Sequence, residues 1–155
     1  MTAAADALAV RVGDELPPTR KTIYQRALAE REFSTDSIHN DDYTRQHGYA
    51  GALVSAYVIA GYVTEPLVRF FGKSWLTTGK YALKFVGKGL QQGDAVTCGA
   101  VVTGIEDVAG GARRVSLEVW IEKADGGRPV IGQASGVLTT ASPGAGGRSA
   151  AEVGA

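Results

Sequence analysis

The sequence predicts an α+β fold in which an antiparallel β-sheet wraps around one long buried helix. The stretch Gly48–Gly72 is the most apolar part of the chain and carries charges only near its end, at Glu65 and Arg69. Such composition is typical of a helix that is buried nearly all round. After Gly72 the apolar side chains recur every second residue, which is the period of a half-buried strand. A helix followed by a run of strands is the pattern of an α+β domain.

The elements that precede this helix are short. Residues 9–16 predict a first strand, closed by two prolines, and residues 24–31 predict a short helix. Asn40 precedes two acidic residues and therefore predicts a two-turn helix over residues 41–47, with Gly48 as the glycine that ends it.

The long helix and the sheet follow. Ser55 is expected to be the N-cap of the helix, and Pro66 is expected to kink or end its regular part. Alternation predicts four strands, near residues 80–85, 96–102, 114–122 and 130–138, joined by glycine-rich turns as an antiparallel meander. Cys98 alternates with apolar neighbours and is expected to be buried.

The chain of 155 residues is sized for one domain. We expect residues 1–8 to form an N-terminal extension and residues 9–141 to form a single domain. Residues 142–155 consist mainly of alanine and glycine and offer little to bury. They predict a disordered tail.

Composition argues against several classes of function. The 16 basic and 16 acidic residues give no net charge, which disfavours a nucleic-acid partner or an anionic membrane surface. One cysteine and two histidines cannot supply a structural zinc site, and no metal is expected. The chain shows no secretory signal and no membrane span, so we expect a cytoplasmic protein.

Four segments, taken in order and spacing, resemble a known family. They are VGDELPP from residue 12, FSTDSIHND from residue 33, HGYAGALVSAYVIAGYV from residue 47 and KYALKFVGKGLQQGDAV from residue 80. The chain resembles the MaoC-type acyl dehydratases and (R)-specific enoyl-thioester hydratases over roughly residues 10–140. The resemblance implies the hot-dog fold, in which the sheet wraps a central helix.

The resemblance also implies a chemistry. In these enzymes an aspartate and a histidine share the water that is added to, or removed from, an acyl thioester. Ile38 and His39 match the end of the family motif, whereas its aspartate position falls on Ser34, with Asp36 two residues further on. The predicted catalytic residues are therefore His39 with Asp36 or Ser34.

The resemblance implies further site residues. The backbone amides of Ala56 and Tyr57, at the start of the helix, are expected to stabilise the developing thioester oxygen. Tyr43, Tyr49, Ser55 and Tyr62 are expected to line the substrate pocket. No cofactor is implied beyond coenzyme A or an acyl carrier protein as the possible carrier of the substrate.

Three functions remain open. The first is a hydro-lyase acting on an enoyl or 3-hydroxyacyl thioester. The second is a tailoring enzyme of polyketide biosynthesis, such as a cyclase or dehydratase, on the same scaffold. The third is a non-catalytic subunit of a heteromeric hydratase. Family resemblance implies a homodimer, with a heteromer containing a second hot-dog protein as the alternative.

Overall fold

A computed structural model describes residues 8–30 and 33–140, in which one five-stranded antiparallel sheet packs against a long helix. The predicted α+β architecture is confirmed. Most of the predicted N-terminal extension and the whole predicted tail at 142–155 lie outside the described residues. The elements in chain order are β1 Thr19–Thr22, α1 Arg26–Ala29, α2 Asp41–Gln46, α3 Ala56–Phe71, α4 Ser74–Thr78, β2 Lys80–Phe85, β3 Ala95–Val108, β4 Ala112–Lys123 and β5 Val130–Leu138.

The strands lie in the order β1-β3-β4-β5-β2. The meander prediction is therefore right for β3, β4 and β5 and wrong for β2, which pairs with β5 and forms an outer edge of the sheet. Glycine helps β2 to dock there, because a Cβ at Gly132 of β5 would overlap the carbonyl oxygen of Ala82. Alternation within β2 could not reveal its neighbour, because any strand with this period presents the same pattern.

A crossover, residues 86–94, joins β2 to β3 across the domain. It contains the buried Leu90, whose carbonyl accepts a hydrogen bond from Val54 N–H at 2.9 Å, just before α3 begins. Gln91 also forms an isolated β-bridge with Leu53. The crossover thereby fixes the chain that leads into α3.

The predicted first strand at residues 9–16 is not a regular strand. Only an isolated bridge from Glu15 to Val101 and a few hydrogen bonds align this segment with β3, and the regular strand is β1, after the prolines. The segment turns at Gly13, whose φ of +94° favours glycine, and proline lacks the N–H that a regular ladder requires.

Helix α3 is amphipathic, so the prediction that it is buried nearly all round is wrong. Ile59, Val63 and Leu67 face the sheet and are at most 3% exposed, whereas Tyr57 on the opposite side is 70% exposed. The sheet covers one face of the helix only. Pro66 does not end the helix, which continues for five residues to Phe71. No helix in the described part of the chain is long and apolar enough to span a membrane.

Candidate functional site

His39 is held by the loop that leads into α2. Asn40 caps this helix as predicted, since its side chain accepts hydrogen bonds from the backbone N–H groups of Asp42 and Tyr43 at 3.0 and 3.1 Å. Helix α2 ends one residue before His47, and Gly48 follows with a φ of +85°, as expected for a terminating glycine. His39 directly precedes this cap, so the capped start of α2 fixes the position of its backbone.

The hydrogen bonds of His39 define its tautomer. Its Nδ1 lies 2.5 Å from the carbonyl oxygen of Leu53, which can only accept, so Nδ1 carries the proton of the neutral ring. Nε2 then presents its lone pair and lies 3.4 Å from the Oγ of Ser55. The ring of Phe33 packs against the imidazole with centroids 4.6 Å apart.

Ser55 occupies the N-cap position of α3 without capping it by its side chain. Its backbone carbonyl accepts from the N–H groups of Val58 and Ile59, as the first turn of a helix requires. Within the described part of the chain, the N–H groups of Ala56 and Tyr57 have no protein acceptor. These are the two amides predicted to stabilise an oxyanion, and they lie next to the Ser55–His39 pair in sequence.

Gln25 is the site residue that the sequence did not reveal. It is buried, and its side-chain amide contacts Ser55 twice, with Oε1 accepting from Ser55 N–H at 2.8 Å and Nε2 donating to Ser55 Oγ at 3.0 Å. Its own backbone N–H donates to Oε1 of Gln92 at 2.8 Å. An isolated glutamine carries no sequence signal, because the contact joins two segments 30 residues apart.

Ser34 and Asp36 form a separate pair. The Oγ of Ser34 donates to Asp36 at 2.7 Å, and this hydrogen bond holds the pKa of the exposed Asp36 carboxyl below its ordinary value. Within the described residues, neither side chain hydrogen-bonds to His39. The structure therefore brings His39 together with Ser55 rather than with either predicted partner.

His39 lines a cavity of about 400 Å³ between the start of α2 and the crossover. Most of its lining residues are polar or charged, including Asp41, whose carboxylate accepts from Ala52 N–H at 2.8 Å. The full lining is Leu28, Phe33, His39, Asn40, Asp41, Asp42, Arg45, Ala50, Gly51, Ala52, Gln91 and Gln92.

The four residues predicted to line the substrate pocket, Tyr43, Tyr49, Ser55 and Tyr62, are all absent from this lining. Tyr43 stacks on His47 with ring centroids 4.2 Å apart, and the hydroxyl of Tyr62 binds the backbone N–H and carbonyl of Tyr24. Tyr49 donates its N–H to Thr44 behind the end of α2. Tyr57 instead borders a shallow groove on the exposed face of α3.

No group of three or more histidine, cysteine or carboxylate side chains suited to a metal ion occurs among residues 8–30 and 33–140. The polar side chains that line the cavity are an imidazole, three amides, a guanidinium and two carboxylates, of which the carboxylate of Asp41 accepts a hydrogen bond from Ala52 N–H.

The architecture is that of known solved structures. The chain matches a structure of the ChsH1-ChsH2 complex from Mycobacterium tuberculosis with a TM-score of 0.63 and 21% identity, over 83% of this chain and 98% of that one. The chain has the hot-dog fold. The predicted resemblance to MaoC-like dehydratases is confirmed at the level of this fold.

Two further hot-dog structures give the same result. A MaoC-like dehydratase from Rhodospirillum rubrum matches with a TM-score of 0.63 and 16% identity, over 83% of this chain and 92% of that one. An (R)-hydratase from A. caviae involved in PHA biosynthesis matches with a TM-score of 0.60 and 19% identity, over 84% and 98%. No family model and no curated protein matches the sequence.

Proposed function

We propose that this hot-dog protein is a hydro-lyase that adds water to, or removes it from, an enoyl or 3-hydroxyacyl thioester, with His39 as its acid and base. The observation that carries the proposal is the fixed tautomer of His39. Because Leu53 holds the proton on Nδ1, the Nε2 lone pair is available as a base at the start of α3. The MaoC-like dehydratase and (R)-hydratase among the similar structures support the same chemistry.

A single water can contact both groups of the pair. Atoms 3.4 Å apart, such as Nε2 and Ser55 Oγ, can each lie about 2.8 Å from one water oxygen. Ser55 O–H then donates to that oxygen while the water donates to Nε2. In this arrangement a lone pair of the water is free to attack.

The proposed hydration uses one proton carrier. The water oxygen bonds to the β-carbon of the enoyl group as Nε2 takes its proton, and the enolate-like charge collects on the thioester oxygen. The N–H groups of Ala56 and Tyr57 stabilise that oxygen. The proton on Nε2 then passes to the α-carbon, which restores neutral His39, and dehydration follows these steps in reverse.

The substrate is proposed to be an acyl chain carried on coenzyme A or on an acyl carrier protein. A cavity of about 400 Å³ is within the usual range for small-molecule sites. We also propose a role in polyketide biosynthesis, as a cyclase or dehydratase that uses the same His39. A cytoplasmic location stays a prediction.

Kinetics of histidine variants test the proposal. We expect His39→Ala to lower turnover of a crotonyl-type thioester by about 10²- to 10⁴-fold, the usual contribution of a general acid–base. His47→Ala is the matched control, because His47 is exposed and contacts Tyr43 on the far side of α2. Wild-type protein that turns over no short, medium-length or branched enoyl thioester would contradict the proposal, as would an unchanged His39→Ala rate.

Assembly is the second proposal, and the exposed edge of β2 supports it. Tyr81 and Phe85 on this outer strand are each 47% exposed, and a groove bordered by Tyr81 runs along the exposed face of α3. An open strand edge flanked by aromatic side chains is suited to pairing with another sheet. We infer a homodimer through this edge.

A heteromeric alternative has its own support. The similar structures include one solved as a two-protein complex, ChsH1-ChsH2, and no carboxylate among the described residues hydrogen-bonds to the His39 ring. In that arrangement a second hot-dog protein supplies a carboxylate that hydrogen-bonds to His39. Size-exclusion chromatography with light scattering of the wild type and of Tyr81→Glu separates the cases: the homodimer predicts a dimer that the variant dissociates, whereas a monomeric wild type favours the heteromer.

A further inference from the structure

We propose that Gln25 is a positioning residue that fixes the direction of the Ser55 hydroxyl proton, and through it the hydrogen-bonding state of His39. The kinetic side of this inference rests on the proposed function. The structural side concerns only the direction of four hydrogen bonds, and it is argued from donors and acceptors of known polarity.

The orientation of the Gln25 amide follows from its backbone partner. Ser55 N–H can only donate, so the atom of Gln25 at 2.8 Å from it must be the carbonyl Oε1. The opposite atom is then the NH₂ group, which donates to Ser55 Oγ at 3.0 Å. The amide therefore has one permitted orientation.

The Ser55 hydroxyl is directed as a consequence. One lone pair of Oγ accepts from Gln25, so the hydroxyl proton must point to another acceptor, and Nε2 of His39 lies at 3.4 Å. Nε2 is able to accept because Leu53 holds the ring proton on Nδ1. The donors thus run in one direction, from Gln25 to Ser55 to His39 to the carbonyl of Leu53.

Burial makes the direction of these hydrogen bonds important for the stability of the site. Gln25 and Ser55 are each 4% exposed, so a polar group left without a hydrogen-bond partner there would be costly. Gln25 is itself tied to the crossover, because its N–H donates to Gln92. The glutamine therefore couples the start of α3 to the segment that joins β2 and β3.

The test reverses one hydrogen bond without changing the shape of the side chain. In Gln25→Glu a carboxylate can still accept from Ser55 N–H but can no longer donate to Oγ, so the Ser55 hydroxyl turns toward position 25. Oγ then presents a lone pair to Nε2. We expect the nitrogen-15 NMR resonance of Nε2, measured without substrate, to differ between this variant and the wild type, because Nε2 no longer accepts a hydrogen bond from Ser55.

Gln92→Glu is the matched control. It places the same negative charge beside Gln25 while keeping an oxygen that accepts from Gln25 N–H. We expect its His39 spectrum to match the wild type. A Gln25→Glu spectrum identical to the wild type would overturn the inference, and so would an equal change in Gln92→Glu.

A second variant covers the case in which Gln25→Glu does not fold. Ser55→Ala removes the hydroxyl, so the Nε2 resonance should shift to that of an unbonded lone pair while Nδ1 keeps its proton. An unmoved Nε2 resonance in Ser55→Ala would refute the inference.

Turnover separates this inference from the proposed function. We expect Gln25→Glu to lower hydration by about 10²-fold, the effect of a small misplacement of a catalytic group. If the spectra change as expected and the wild type hydrates no thioester, the proposed function fails while the role of Gln25 stands. If hydration is present and the spectra do not change, the role of Gln25 fails alone.

Discussion

Replacing Phe71 with alanine should destabilise the domain severely. Phe71 is fully buried at the end of α3, where its ring packs edge-on against Phe70 at 4.8 Å and stacks with Trp75 at 5.6 Å. The ring also lies against β5, because a Cβ at Gly136 would be 3.1 Å from it. The substitution therefore removes contacts with the helix, with α4 and with the sheet at once.

The magnitude follows from these contacts. A buried Phe→Ala substitution costs about 3–5 kcal/mol in transfer and cavity terms, and aromatic pairs of this geometry contribute about 0.5–1.5 kcal/mol each within such losses. Since small domains are stable by about 5–15 kcal/mol, we expect the loss of roughly a fifth or more of the free energy of unfolding. The melting temperature should fall by roughly 6–20 °C.

Urea denaturation followed by circular dichroism measures this change. The matched control is Val68→Ala on the same helix, where the side chain is 39% exposed, and we expect it to cost under about 1 kcal/mol. A loss below about 1.5 kcal/mol for Phe71→Ala would refute the argument that this ring joins α3 to the sheet. A similar loss for both variants would show that the helix responds to substitution wherever it is made.

Three further predictions concern the loop before α2, the exposed carboxyl and the buried thiol. Asn40→Ala should lower the free energy of unfolding by about 1 kcal/mol, because two N–H groups of α2 lose their acceptor, whereas Asn40→Asp should retain most of it; equal losses in urea denaturation would contradict this. Ser34→Ala should raise the pKa of Asp36 toward its ordinary value, and a carbon-13 NMR titration that shows no rise would contradict the hydrogen bond. Burial raises the pKa of the Cys98 thiol to about 11 from the ordinary 9.0. At a pH between these two values the thiol is protonated in the folded protein and loses its proton on unfolding. The thiol's contribution to stability is therefore complete below pH 9 and is lost as the pH rises toward 11. In urea denaturation at a series of pH values, the free energy of unfolding should fall less between pH 9 and pH 11 for Cys98→Ala than for the wild type. An identical fall in both proteins would exclude the thiol as its cause.

The sequence predicted what local rules control. Asn40 and Gly48 bound a helix because each satisfies backbone groups of its own segment, and alternation placed β3, β4 and β5 because each has one buried face. The pairing of β2 with β5 depends on where a crossover leads, which alternation does not encode.

The candidate site shows the same division. Ile38-His39 was found by its match to a motif, and Ser55 was placed correctly at the start of α3. Its hydroxyl, however, serves a tertiary contact rather than the cap that its residue type suggests. Gln25 was missed because its role arises only when the segment before α1 and the start of α3 are brought together by the fold.

The crossover at residues 86–94 divides this chain into regions with different tolerance to insertion. At its near end Gly87 and Gly89 adopt φ values of +67° and +73°, and Gly87 has open space around it. A loop tip of this kind can absorb added residues. Directly after Gly89 the chain forms hydrogen bonds to Val54, Gly51 and Gln25 in succession, through Leu90, Gln91 and Gln92. An added residue there would shift the register of this segment against all of these partners by one position. Chain length in this short stretch is therefore constrained as tightly as residue identity.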